Sequence, residues 1–432
     1  MSKLVVEGGH RLKGAIRING AKNSALKLMV GAMLGQGTFT ISDVPAITDV
    51  RTMCGVLEAL GVQTCLVDNE LRLQVGVLQG RVPEELAKSM RASIQVMGPL
   101  LARLGWVEVA LPGGCAIGTR PLDLHLDNLI KLGARIEVTG QRIAASAECL
   151  YGTDITLRYP SVGATENLMM AAVLAKGETV IRNAAQEPEI IDIQQFLNAM
   201  GAKVQGAGSP VIRIEGVSDL GSADYKVIPD RIEAGTYLLA AAATGGQVTL
   251  ENVVPEHLEA LLTVLEAMGV EVYRNEDGLT VWTTNKLRSQ HVETAPYPGF
   301  PTDLQPQFVV LATQAAGVSI IHESVYDRRF GYTSELKKMG AQIKVDGRQA
   351  AVVGHTPLKA AQVEAGDLRA GAALVIAALA ARGETTVLGV EHIDRGYECI
   401  EMRLRQLGAK ISRMEERRED ALPVSVLRWG GR

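Results

Sequence analysis

The stretch richest in chemistry is Leu111-Pro-Gly-Gly-Cys-Ala-Ile-Gly-Thr-Arg-Pro121. It sets one thiol, Cys115, among three glycines, with Arg120 five residues further on. Glycine lets such a loop bend sharply and bring its amides to an anion. A thiol beside cations is more acidic and more reactive than a buried one. A tight hairpin holding an inert cysteine would use the same residues, so other groups must decide. Cations recur at the ends of apolar segments: Lys22-Asn23 before a helix near Ser24, Arg91 in a helix predicted over 90–104, Arg120, Arg231, Arg328-Arg329, Arg369 and Arg395. A helix N-terminus with a neighbouring Arg or Lys attracts anions, and Arg grips phosphate or carboxylate through two parallel bonds. The recurrence predicts a strongly anionic ligand. Acid–base candidates stand beside these cations: Asp303 in Gly-Phe-Pro-Thr-Asp-Leu-Gln, Asp367, Asp230 and Glu187. Each could equally be a helix cap.

The elements that position these groups repeat. A helix ending in Leu/Met-Gly-Ala/Val, followed by a strand, recurs at Gly61, Gly133, Gly201, Gly269, Gly340 and Gly408, at steps of 72, 68, 68, 71 and 68 residues. Ahead of each stands another glycine and an alternating strand, at Gly37, Gly105, Gly177, Gly246, Gly317 and Gly383. Each unit opens with a helix apolar almost all round, as over 233–243 and 371–381, a pattern that requires burial on every side. A strand of period two follows, then an amphipathic helix such as 258–268, with Leu261, Leu262 and Leu265 on one face. That helix stops at a left-handed glycine cap, and the chain leaves as a strand over 270–273. Three units around each of two cores suit all-apolar helices better than one solenoid does. The join lies near residues 217–229, rich in Gly and Asp, and the opening strands at 4–6 and 16–19 could pair with either half.

Composition excludes several classes. With 432 residues, 47% hydrophobic and 21% charged, the chain is a globular protein of two or three domains. A net charge of -4 gives no general attraction to nucleic acid or anionic membranes, so anion binding must be local. Five cysteines at irregular spacing, without a CxxC pair, argue for reduced thiols and a cytoplasmic location. No export signal or membrane-length apolar run is evident, and no metal-ligand spacing appears.

Gly20-Ala-Lys-Asn23, Met90-Arg-Ala-Ser93, Leu111 to Gly118, Ser161-Val-Gly-Ala-Thr165, Pro229-Asp-Arg-Ile-Glu233, Gly299 to Gln305, Asp367-Leu-Arg-Ala370 and His392-Ile-Asp-Arg-Gly-Tyr397 occur in collinear order. Together they resemble the UDP-N-acetylglucosamine 1-carboxyvinyltransferases of the EPSP synthase superfamily, from residue 1 to about 414. The resemblance implies an inside-out α/β barrel: two domains, each of three βαβαββ-type units with buried helices. Residues 1–19 with 229–414 would form one domain, 20–228 the other, and 415–432 a C-terminal extension. It implies transfer of the enolpyruvyl group of phosphoenolpyruvate to the 3′-hydroxyl of UDP-N-acetylglucosamine, releasing phosphate at the first committed step of peptidoglycan synthesis. Cys115 would protonate the enol carbon and Asp303 would take the hydroxyl proton. Lys22, Arg120 and Arg395 would hold the phosphate, with Asn23, Arg91, Arg329, Asp367 and Arg369 nearby. Arg120, Pro121, Leu122, Asp123 and Leu124 would line the uridine, Ser161, Val162 and Gly163 the diphosphate, and Asp303 with Val325 the amino sugar. The resemblance implies neither metal nor organic cofactor, and it leaves the oligomeric state open.

The chain departs from the family pattern in places. Tyr159-Pro160 stands where some members carry lysine, which would shift the diphosphate towards Arg158 or other cations. Thr48 replaces another lysine, and Tyr326 and Arg328 replace Phe and Asn. A 3-phosphoshikimate 1-carboxyvinyltransferase is the alternative enzyme and a non-catalytic relative the third reading. The Gly-Gly-Cys loop and the Ser161 motif disfavour the former, and Cys115, Asp303 and Arg395 the latter.

Overall fold

The computed structural model describes residues 2–111, 122–275, 278–283 and 286–415. Cys115, Arg120 and Pro121 lie outside the described residues, as does the tail from 416. Within them are six sheets, five of four strands and one of three. The third repeat shows the pattern. Asp154–Thr156 runs parallel to Glu178–Arg182, joined by the helix Val162–Ala172. After a second helix, Pro188–Ala199, the hairpin Lys203–Gln205 and Val211–Glu215 extends the sheet antiparallel, with Glu178 opposite Glu215. This is the βαβαββ unit.

The first helix of each unit is central: Lys22–Gly31 (α1), Met97–Leu104 (α2), Val162–Ala172 (α3), Arg231–Ala243 (α4), Gln305–Gln314 (α5) and Leu368–Ala380 (α6). Every residue of α4 after Arg231 is buried, as is α6 from Arg369 to Leu379. Helix propensity is worth only tenths of a kcal/mol per residue, whereas burying a Leu or Phe side chain contributes about 2 kcal/mol. Packing therefore holds these helices. Small residues permit close contact: a Cβ on Gly98 of α2 would lie 2.4 Å from the carbonyl oxygen of Asn167 in α3.

The apolar residues form two clusters, one drawn from residues 21–227 and the other from 4–18 with 232–411. Both opening strands join the second set. Ser2–Glu7 lies between Glu384–Leu388 and Lys410–Glu415, and Lys13–Arg17 runs parallel to Gln247–Glu251. The strand Asp224–Lys226 returns to complete the first repeat's sheet beside Gly37–Ser42. The two crossings run side by side, with Gly20 bridged to Pro229 and Ala21 N donating to Ile228 O at 2.7 Å.

Some boundaries differ from expectation. The helix predicted over 90–104 is a 3-10 segment, Arg91–Val96, before α2, because Pro99 lacks an N–H and is tolerated only in a first α-helical turn. All six helix-ending glycines, from Gly61 to Gly408, have φ between 86° and 105°. In the other series Gly245 takes the left-handed turn instead of Gly246. Gly246 is there for space, since a Cβ would meet Leu12 O at 2.2 Å. The strand expected over 16–19 ends at Arg17, where the chain turns toward the crossing, and that expected from 270 begins at Glu271.

Candidate active site

The site is built where the two crossings meet the helix ends. Asp230 caps α4: its Oδ1 accepts from Ile232 N at 2.8 Å and Glu233 N at 2.9 Å. Its Oδ2 accepts from Lys22 N at 3.0 Å, so one carboxylate holds the N-termini of α1 and α4 together. Asp367 caps α6 in the same way, through Arg369 N and Ala370 N. Two of the four side chains considered for acid–base work, Asp230 and Asp367, are therefore engaged as caps.

Lys22, first residue of α1, is buried, and its Nζ lies 2.6 Å from Asp49 Oδ2. Arg395, from the far end of the chain, reaches Asp49 Oδ1 with Nε at 2.9 Å. Burial, with Arg369 and Arg395 nearby, lowers the Lys22 pKa against the pull of Asp49. Burial alone would raise the Asp49 carboxyl, but Lys22 and Arg395 outweigh it and hold it below the usual range. Asn23 follows Lys22, half-buried, and its carbonyl accepts from Lys27 Nζ at 3.3 Å.

Asp303 lies in the 3-10 turn Thr302–Leu304 ahead of α5 and makes no cap. Its Oδ1 accepts from Arg329 Nη2 at 3.2 Å and its Oδ2 from Arg369 Nη2 at 2.8 Å. Arg329 is 3% exposed and Arg369 6%, so two inward-turned guanidiniums fix the carboxylate. The neighbouring Arg328 faces solvent. Burial would lower the Arg369 pKa, but Asp303 reverses the direction. Behind it Tyr397 Oη lies 3.4 Å from Arg369 Nη1 and 2.8 Å from Thr236 Oγ1. Glu323 supports the floor, accepting from Val325 N at 2.9 Å, Tyr326 N at 3.0 Å and Thr302 Oγ1 at 3.0 Å.

In the other half, Ser161 caps α3 through Ala164 N, leaving Val162 and Gly163 in the first turn of an 11-residue helix. Such a turn presents free amides to an anion. Beneath it lie Gln95, whose Nε2 donates to Gly163 O at 3.0 Å, and His125. Burial, then the charges of Arg91 and Lys27, push His125 down to about 4, so the imidazole is neutral at pH 7. Lys27 Nζ pairs with Glu166 Oε2 at 2.8 Å, and burial lifts that carboxyl to about 7. Leu122, Asp123 and Leu124 lead into the helix Asp123–Lys131. Asp123 forms an ion pair with Arg158, tying this segment to the approach to Ser161. Of the cations expected to serve in place of the absent lysine, Arg158 is thus already paired with Asp123.

The structure brings Lys22 and Arg395 together at Asp49, and Asp303, Arg329 and Arg369 at a second centre. Asp49, Tyr397 and Glu323 were missed by sequence reasoning. Asp49 reads locally as an ordinary acidic residue in a helix's first turn, and only the cations it faces, Lys22 and, 346 positions away, Arg395, give it meaning.

The sequence pattern of the EPSP synthase (3-phosphoshikimate 1-carboxyvinyltransferase) family matches residues 6–419. The chain is 51% identical over 419 residues to UDP-N-acetylglucosamine 1-carboxyvinyltransferase 2 of Carboxydothermus hydrogenoformans, covering 96% of this chain and 100% of that one. It is 50% identical to UDP-N-acetylglucosamine 1-carboxyvinyltransferase 1 of Symbiobacterium thermophilum, covering 95% of each. Among solved structures, the enolpyruvyl transferase NikO from Streptomyces tendae superposes with a TM-score of 0.86 at 25% identity, over 95% of this chain and 98% of that one. EPSP synthase from Acinetobacter baumannii, 18% identical, shares the fold with a TM-score of 0.76, over 96% of this chain and 100% of that one. By sequence pattern, by identity along nearly its whole length and by fold, this chain belongs to the EPSP synthase family of carboxyvinyltransferases.

Proposed function

We propose that this protein is a UDP-N-acetylglucosamine 1-carboxyvinyltransferase: it transfers the enolpyruvyl group of phosphoenolpyruvate to the 3′-hydroxyl of UDP-N-acetylglucosamine and releases phosphate. The observation that carries the reading is identity of about half the residues, end to end, with relatives of that name. The same relatives favour it over 3-phosphoshikimate as acceptor. The reaction opens peptidoglycan synthesis and uses soluble small-molecule substrates. No helix among the described residues is long and apolar enough to cross a membrane, and we assign the enzyme to the cytoplasm.

The chemistry is addition followed by elimination. It needs a base for the acceptor hydroxyl, an acid for the enol carbon, and cations for phosphate and carboxylate. Asp303 is the base, its carboxylate oriented by Arg329 and Arg369. Cys115 is the acid, by resemblance. Lys22 and Arg395 hold the phosphate with Arg120, while Asn23, Arg91, Asp367 and Arg369 complete that side. Ser161, Val162 and Gly163 receive the diphosphate, through the first-turn amides of Val162 and Gly163 beside the Ser161 cap. Pro121, Leu122, Asp123 and Leu124 border the uridine, and Val325 borders the sugar. We assign residues 20–228 to one domain and 1–19 with 229–414 to the other, in keeping with the two apolar clusters.

The test is phosphate release from phosphoenolpyruvate with each acceptor. Release with UDP-N-acetylglucosamine and none with shikimate 3-phosphate is expected; the reverse would reassign the enzyme, and release with neither would make it a binding protein. Replacing the base, Asp303→Asn, should lower kcat by about 10²–10⁴-fold.

A further inference from the structure

Asp49 has no task in the reaction as set out above. It is 5% exposed, stands in the first turn of the helix Thr48–Ala59, and holds Lys22 from its own half and Arg395 from the other. These are two of the cations assigned above to the phosphate of phosphoenolpyruvate. We propose that Asp49 is an internal stand-in for that phosphate: a positioning residue that keeps the two cations together before substrate arrives and weakens their hold on phosphate afterwards. The proposal rests on the function proposed above.

The argument is electrostatic. Lys22 is buried with Arg369 and Arg395 close by, an arrangement that disfavours its ammonium form. A fixed carboxylate at 2.6 Å opposes this and, bonded to both, holds Lys22 and Arg395 in place. Phosphate carries more negative charge than one carboxylate and shares or displaces its bonds to Lys22 and Arg395. Asp49 cannot leave, since its helix is anchored by Thr48 N donating to Asp394 O at 3.0 Å and by buried Val50 and Met53. It remains as a like charge beside the bound phosphate. Like charges a few ångströms apart repel even near a protein surface, so the product phosphate is held less tightly and leaves sooner.

The test titrates inorganic phosphate into the full-length protein by calorimetry, while the parent is assayed for enolpyruvyl transfer. Asp49→Asn removes the charge and keeps the shape; it should bind phosphate at least about fivefold more tightly, with kcat and the KM for phosphoenolpyruvate both lowered. Asp49→Glu keeps the charge and should bind phosphate as weakly as the parent. Equal or weaker phosphate binding by a folded Asp49→Asn overturns the proposal. So does failure of both Asp49→Asn and Asp49→Ser to fold, which would make Asp49 a structural fastener. A parent that transfers to no acceptor refutes the proposed function instead, and the phosphate titration remains readable beside it.

Discussion

Single side chains in this molecule divide into those with charged partners and those held by burial against their chemistry. Asp303 belongs to the first kind, and its importance was legible only through the surrounding motif, because a lone Asp after Pro-Thr reads as a cap. Asp192 belongs to the second. It is 1% exposed on the helix Pro188–Ala199, and its carboxylate meets the hydroxyls of Ser24 and Tyr225, the latter at 2.7 Å. Among the described residues no cation pairs with it. Burial pushes its pKa from 3.8 up to about 6, against the pull of those hydroxyls. A carboxyl raised in the folded state favours folding fully below its unfolded pKa, and that contribution is lost as pH rises through the folded one. From pH 4 to pH 7 the parent should therefore lose about 2 kcal/mol at this group. Asp192→Asn cannot ionise and should not lose it. Calorimetric melting at several pH values checks this: relative to the parent, the variant should gain stability steadily between pH 4 and 7. A flat difference would show that Asp192 is not the group responsible.

Elements repeat where the sequence repeats, and the helix-ending glycines made the period readable because left-handed backbone admits few other residues. The structure adds that the six sites are not equivalent. Gly61 and Gly201 have φ of 95° and 105°, but a Cβ on Gly201 meets nothing within 4 Å while one on Gly61 would lie 2.3 Å from Val77 O. Both follow residues of the same apolar cluster, Leu60 and Met200, so both substitutions report on one unfolding transition. Gly201→Ala should cost only the conformational penalty, about 1–2 kcal/mol. Gly61→Ala should cost clearly more, because the Val77 carbonyl, in the bend after the strand Glu70–Val75, must also move. Urea unfolding of the two variants decides it, and equal midpoints would mean that the carbonyl yields freely. The turn after the short helix Val390–Ile393 was legible as a motif but not as a junction. Asp394 takes Arg413 at 2.7 and 2.8 Å, Arg395 reaches Asp49, and Tyr397 reaches Arg369, so one turn serves the sheet edge, the proposed phosphate cations and the proposed base.

For the molecule as a whole, the two apolar cores follow from local patterns, whereas several contacts between the halves join residues more than 300 positions apart and leave no periodic trace. Glu398 is the clearest case. Its Oε2 accepts from Ala46 N at 3.0 Å, Asn69 Nδ2 at 3.1 Å and, more distantly, Asn19 Nδ2 at 3.4 Å. Together with Thr48 N to Asp394 O and Asp49 to Arg395, it fastens the first repeat to the last. Glu398 contributes nothing to either apolar core, so Glu398→Ala should leave the stability of each half nearly unchanged. It leaves Ala46 N without its acceptor and Asn69 Nδ2 with Val44 O at 3.0 Å in place of two acceptors, a loss of about 1–3 kcal/mol that falls on the contact between the halves. Free of substrate, the variant should therefore show a larger radius of gyration by small-angle scattering than the parent. Adding UDP-N-acetylglucosamine, whose proposed contacts reach both halves, should shrink the difference. A radius unchanged from the parent would show that the remaining contacts between the halves, Asp49 to Arg395 among them, hold them without Glu398.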